Sequence, residues 1–214
     1  MRYWELRRAV VEAFRFMEER GLNWGHSGNV SVRLPGGLYL ISPSGLRKSR
    51  MGPEDLVVID GEGRVVEGSR PPSSEYRLHL AVYRARGDVN AVIHAHPLYA
   101  SVLAALRKPI LPIVEEVTVY LGGPVEVAAY APPGSGELAE NAVRALGDRC
   151  AVLLANHGAL TCGSDLEEAL DALVYLERAA FVYFHASLLG GAQPVPPEAL
   201  ELERRMYLAR RRLL

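Results

Sequence analysis

From residue 30 to residue 67 the chain alternates four short β-prone runs (30–34, 38–41, 56–60 and 64–67) with turns built on glycine and proline. Pro35-Gly36-Gly37, Pro43-Ser44-Gly45 and Gly61-Glu62-Gly63 mark those turns. Runs this short, punctuated this way, predict antiparallel hairpins. On either side the periodicity changes. Leu6, Val10, Ala13, Phe14 and Met17 recur at three- and four-residue intervals, predicting an amphipathic helix that stops at Gly21. After Pro71-Pro72 a helix is expected from Ser73-Ser74 to about Arg86, then a strand over 89–93 and a short helix over 99–106. A strand over 125–129, a helix over 135–146 and a buried strand over 150–155 follow. Asp165 and Glu168 form a capping box for a long helix reaching towards Leu189, and a last helix lies beyond Gly190-Gly191. No repeat or linker divides the 214 residues. The expected fold class is α/β: one domain over 1–214, with a mixed, largely antiparallel sheet flanked by helices.

Charge and cysteine content narrow the function classes. A formal net charge of −1 gives no global field for nucleic acid or an acidic membrane. The basic cluster Arg204, Arg205, Arg210, Arg211 and Arg212, interleaved with apolar residues, reads as the solvated face of a terminal helix. Two cysteines without a CxxC spacing point to a reducing, cytoplasmic setting. The first 21 residues intersperse Arg and Glu among apolar residues, unlike a signal peptide. No stretch approaches the roughly 20 apolar residues of a membrane span. Only Lys48 and Lys108 are lysines, and neither lies in an apolar strand that would desolvate it. Carbanion chemistry in this chain is therefore expected to use a metal rather than a Schiff base.

His94-Ala95-His96-Pro97 follows a strand-like run, and side chains two apart on a strand face the same way. Two such imidazoles can share one ion, although alone the pair is equally a hydrogen-bonded strand end. Asn156-His157-Gly158 stands at the end of a second strand. Three imidazoles from two strand ends, with a fourth position open, describe a catalytic zinc site. His79, four residues after Glu75, reads as a packing residue or one that steadies the site, and His185 as structural. His26 in its glycine-rich loop stays open. Gly25-His26-Ser27-Gly28-Asn29, Ser42-Pro43-Ser44-Gly45 and Ser73-Ser74 are each ordinary turns or caps taken singly. Beside a metal they describe a phosphate pocket. Glu75 there is a candidate general base.

Taken in order, Gly28-Asn29-Val30-Ser31, Ser42-Pro43-Ser44-Gly45, Pro72-Ser73-Ser74-Glu75, His94-Ala95-His96-Pro97 and Asn156-His157-Gly158 resemble the class II aldolase/adducin family. Within it they are similar to the fuculose-1-phosphate aldolase branch. The likeness runs from about residue 6 to residue 189. It implies a three-layer α/β/α fold and a homotetramer with active sites between subunits. It implies His94, His96 and His157 as zinc ligands, one zinc per subunit, and Asn29, Ser44, Gly45, Ser73 and Ser74 as phosphate-binding residues. Glu75 matches the catalytic carboxylate. The implied reaction is retro-aldol cleavage of a ketose 1-phosphate to dihydroxyacetone phosphate and an aldehyde, through an enediolate stabilised by the zinc.

Two positions depart from the branch. His26 replaces a threonine of the first loop. Glu116 stands where the family has a tyrosine reaching in from a neighbouring subunit, and is the candidate second catalytic group. Tyr120 lies near it in sequence without a match, and Tyr207 resembles a tail tyrosine of the aldolases only loosely. The rival siblings are methylthioribulose-1-phosphate dehydratases, which carry a glutamate near Glu116 but no match to Glu75, and pentose-phosphate 4-epimerases, which usually have aspartate at the Glu75 position. A non-catalytic module like the adducin head would lack the metal residues that this chain retains.

Overall fold

The computed structural model describes residues 2–211. Eight strands form one sheet in the order β4-β3-β2-β1-β5-β8-β7-β6. They are β1 (Asn29–Leu34), β2 (Leu38–Ile41), β3 (Val57–Ile59), β4 (Val65–Glu67), β5 (Ala91–Ala95), β6 (Val127–Ala128), β7 (Ala151–Leu154) and β8 (Gly158–Gly163). Every pairing is antiparallel except β6 with β7, so the sheet is mixed and largely antiparallel, as expected. The helices are α1 (Trp4–Glu19), α2 (Tyr76–Ala85), α3 (Leu98–Ala105), α4 (Glu116–Leu121), α5 (Gly136–Leu146), α6 (Leu166–Leu188) and α7 (Pro197–Arg210).

Strand alternation divides the core in two. Val30, Ile93, Leu153 and Ala159 pack on one face with α1, α3, α4 and α6. Val92, Val152, Leu154 and Leu160 pack on the other with α2 and α5. That is a three-layer α/β/α arrangement, and the period-two pattern of the strands produces it. His94 shares its face with Val92, so it points into the α2 layer, where the N-terminus of α2 brings Glu75.

Several elements differ from expectation. The strand expected over 125–129 shrinks to Val127–Ala128, because Val125 exchanges both backbone hydrogen bonds with Ile110 instead. α4 was not expected: Glu116-Val-Thr-Val-Tyr-Leu121 is rich in β-branched residues, and tertiary packing of Val117 and Leu121 overrides that propensity. β8 was not expected either, its short run being enclosed by glycines. α2 begins at Tyr76 rather than at Ser73, leaving both serines in the turn before it. The C-terminal basic cluster is not simply a solvated face. Arg211 is buried, its guanidinium 2.6 Å from Asp88 and 2.9 Å from Glu168, while Arg204 donates to the Gly122 carbonyl and pairs with Asp148. These carboxylates neutralise the cations and pin α7 to the sheet; Arg212 lies outside the described residues. Tyr207 is fully buried, its hydroxyl donating to the Asp148 carbonyl, so it serves packing rather than a pocket.

Candidate metal centre and active site

Two strand ends meet where β5 pairs with β8. His94 is the fourth residue of β5, and His96 follows the strand before Pro97. His157 sits in the three-residue loop between β7 and β8, closed by its own N–H donating to the Leu154 carbonyl. That loop needs one left-handed residue, and Asn156, at φ 56°, supplies it; asparagine tolerates this region better than most residues. One side-chain nitrogen from each of His94, His96 and His157 lies within 4.8 Å of the others, and the Nε2 atoms of His94 and His96 are 3.1 Å apart.

The chemistry of this donor set fits a metal ion. His94 Nδ1 is 2.9 Å from the Ala159 carbonyl, which fixes the proton on Nδ1 and leaves Nε2 as a free electron pair facing the other rings. Burial, followed by the neighbouring imidazoles, holds the His94 pKa well below the ordinary histidine range, and burial with His157 lowers that of His96. Both are thus neutral at pH 7, the state in which imidazole binds metals. Glu75 Oε1 is buried with no hydrogen-bond partner among the described residues and sits 3.5 Å from His157 Nε2, while Oε2 is 3.3 Å from His94 Nε2.

A directed hydrogen-bond relay stands behind Glu75. A carboxylate only accepts, so the 2.9 Å contact fixes Asn29 Nδ2 as donor to Glu75 Oε2. Asn29 Oδ1 must then accept from His79 Nε2, and His79 Nδ1 accepts from Ser31 Oγ at 2.6 Å. Ser31 in turn accepts from Tyr83 at 2.8 Å. Burial brings the His79 pKa down to about 3, so the ring is neutral and holds this single tautomer. His79 is therefore the steadying residue that its place four after Glu75 implied. Asn29, expected at the phosphate, also has an amide that orients the carboxylate.

The expected phosphate residues come together. Asn29, Ser44, Gly45, Ser73 and Ser74 line one pocket of about 130 Å³ with His26, Glu75, His96 and His157. At about 30 Å³ per water this is the space of roughly four waters, a site for a small ligand. Glu116 is not among the lining residues; it lies at the start of α4, 3.7 Å from Arg178 of α6. Tyr120 stacks on Tyr175 with ring centroids 3.9 Å apart, and His185 bonds the Phe181 carbonyl on α6. One expectation is corrected: Lys48 is desolvated, 3% exposed, and lines the same pocket. It is buried by a turn under α1 rather than by a strand, which is why strand apolarity gave no warning.

Two more residues shape the site: Asn23, which carries no sequence signal, and Gly158, which the Asn156-His157-Gly158 motif already marks. Asn23, buried after α1, donates to the Ser27 carbonyl and accepts from the His96 N–H at 3.4 Å, joining the first loop to the histidine pair. Gly158 allows β8 to close on β5: a Cβ there would lie 2.6 Å from the Ala95 carbonyl oxygen and 3.0 Å from the His96 ring. Gly158→Ala should therefore destabilise the fold by about 1–3 kcal/mol and displace His96. Thermal unfolding together with metal content checks this, and an unchanged variant in both would show that β8 has slack.

The model for the class II aldolase and adducin N-terminal domain matches residues 8–184. A 5-methylthioribulose-1-phosphate/5-deoxyribulose-1-phosphate aldolase of Rhodospirillum rubrum is 38% identical over 196 residues, 92% of this chain and 88% of that protein. An L-fuculose phosphate aldolase of Escherichia coli is 38% identical over 192 residues, 90% of this chain and 87% of that protein. Among solved structures, an L-fuculose 1-phosphate aldolase superposes with a TM-score of 0.92 at 38% identity, covering 97% of this chain and 98% of that one. With five ordered motifs gathered at one sheet end, a shared fold and a family match over most of its length, the chain belongs to the class II aldolase and adducin family.

Proposed function

We propose that this chain is a zinc-dependent aldolase, a single class II aldolase-like domain that cleaves a short ketose 1-phosphate to dihydroxyacetone phosphate and an aldehyde. The observation that carries this reading is a cluster of three imidazoles, two of which line one small pocket together with a buried carboxylate and three donor-rich loops. The relatives' names support it. Methylthioribulose, deoxyribulose and fuculose 1-phosphates differ in the aldehyde half, and cleavage of each between C3 and C4 leaves the same dihydroxyacetone phosphate.

His94, His96 and His157 would hold the ion, and three imidazoles with an open position suit zinc. When bound, such an ion supplies a Lewis acid that polarises a carbonyl and stabilises negative charge developing on it. Ser44, Gly45, Ser73 and Ser74, with the spare N–H of Asn29, take the phosphate and so fix the reacting carbons beside Glu75. Glu75 delivers a proton to C3 after the C3–C4 bond breaks, and removes it in the synthetic direction. The bond from Asn29 keeps its carboxylate aimed. We assign removal of the C4 hydroxyl proton to Glu116 of the partner subunit. Because Glu116 does not line the pocket of its own chain, this role requires the homotetramer that the family resemblance implies. The setting proposed is cytoplasmic, with no nucleic-acid or membrane partner; no described helix is long and apolar enough to cross a membrane.

The test is exchange of the dihydroxyacetone phosphate C3 proton with solvent deuterium, which needs no guess about the aldehyde. Exchange that a chelator stops is the expected result. Absence of exchange in fully metallated protein would replace the aldolase by a methylthioribulose-phosphate dehydratase with Glu116 as its acid/base.

A further inference from the structure

Lys48 is a buried ammonium in the pocket that also holds the Glu75 carboxylate and the serine, glycine and asparagine donors. Its backbone N–H donates to the Gly25 carbonyl at 2.9 Å, and its Nζ donates to the Pro43 carbonyl at 3.0 Å. It therefore bridges the first glycine-rich loop and the Ser42-Pro43-Ser44-Gly45 turn, two of the three walls around the expected phosphate position. Phe14 of α1 covers it from behind, with Nζ 5.5 Å from the ring centroid. An ammonium carries three N–H donors, and the Pro43 carbonyl takes one.

Such a cation is costly. Taking an ammonium out of water without a charged partner disfavours its charged form, and burial alone lowers the Lys48 pKa to about 8. No carboxylate among the described residues pairs with Nζ, and an anion entering the pocket would supply that partner. The other phosphate candidates, Asn29, Ser44, Gly45, Ser73 and Ser74, offer hydroxyl, amide and backbone donors but no charge.

We propose that Lys48 is a specificity-determining residue whose Nζ pairs with the doubly charged phosphate of the substrate, so that the pocket selects phosphorylated over unphosphorylated ketoses. This rests on the aldolase reading only for the identity of the substrate. The alternative role for the side chain is a neutral clip between two loops, and the two roles predict different measurements.

Inorganic phosphate is the first probe, titrated by calorimetry into metal-loaded wild type, Lys48→Gln, Lys48→Met and Lys48→Arg. Phosphate binding needs no turnover, so it stands or falls apart from the aldolase reading. Binding to wild type is expected, weakened about 10- to 100-fold in Gln and Met and largely recovered in Arg, the size of a lost charged hydrogen bond. Methionine removes the buried charge while filling its space, so that variant folds even if Gln does not. The second probe compares metal-dependent C3 proton exchange on dihydroxyacetone phosphate with that on dihydroxyacetone. Charge pairing predicts that Lys48→Met slows exchange on the phosphate ester alone. Equal loss on both compounds, phosphate affinity unchanged in folded Met variant, or no phosphate binding by wild type would overturn the proposal.

Discussion

Glu75→Gln is expected to keep its metal and its fold and to lose about 10²- to 10⁴-fold in the rate of C3 proton exchange. Glutamine occupies the same volume, and its amide oxygen can accept the hydrogen bond that Asn29 Nδ2 now gives to Glu75 Oε2. The relay through His79, Ser31 and Tyr83 is then undisturbed. What disappears is a group able to hold and release a proton. His94, the most enclosed of the three imidazoles, does not depend on Glu75 for its orientation, since the Ala159 carbonyl fixes it. Metal content by elemental analysis and exchange by proton NMR in deuterium oxide separate the two effects. Unchanged exchange in a metallated variant would sink the base role, and lost metal would mean that the carboxylate is itself a ligand.

How much of this was readable beforehand follows from the range of the interactions involved. Hairpins between Asn29 and Glu67 are local events, and Pro35-Gly36-Gly37 announces its turn without help from the rest of the chain. His94 and His96 were legible because period two puts them on one face, and His157 because a glycine turn after a buried strand marks a strand end. β8, by contrast, is defined by its partners: Gly158–Gly163 is a strand because β5 and β7 enclose it, and nothing in its own composition says so.

The site's finer wiring was illegible for the same reason. Asn29 and Glu75 are 46 residues apart, and their bond decides which amide atom faces the carboxylate. Lys48 lies in no apolar strand, and its burial comes from Phe14 and the Pro43 turn, which only the fold brings over it. The spacing of Arg204 to Arg211 suits a solvated helix face, yet Asp88 and Glu168 reach Arg211 from distant elements. Periodicity locates faces, but it does not say which face meets a carboxylate. Motif order, carried by five short stretches, recovered what long-range contacts would otherwise have hidden.

His94→Ala should lose the metal altogether, and with it all metal-dependent exchange. His94 is the most enclosed of the three, 0% exposed, with ring centroids 4.6 Å from His157 and 4.9 Å from His96. Removing it leaves two imidazoles, one short of the three protein ligands that catalytic zinc sites use. The hydrogen bond from His94 Nδ1 to the Ala159 carbonyl is lost as well, at a cost of about 0.5–1.5 kcal/mol of stability. Metal content should fall from about one ion per chain to near zero after dialysis, with no recovery of exchange on adding modest zinc. His185→Ala is the control: its ring bonds the Phe181 carbonyl on α6, away from the triad, and the variant should bind metal as the wild type does. A His94→Ala protein that stays fully metallated would place the ion elsewhere. A wild type that takes up no ion while exchanging the C3 proton would remove the metal from the chemistry and leave Glu75 to act without it.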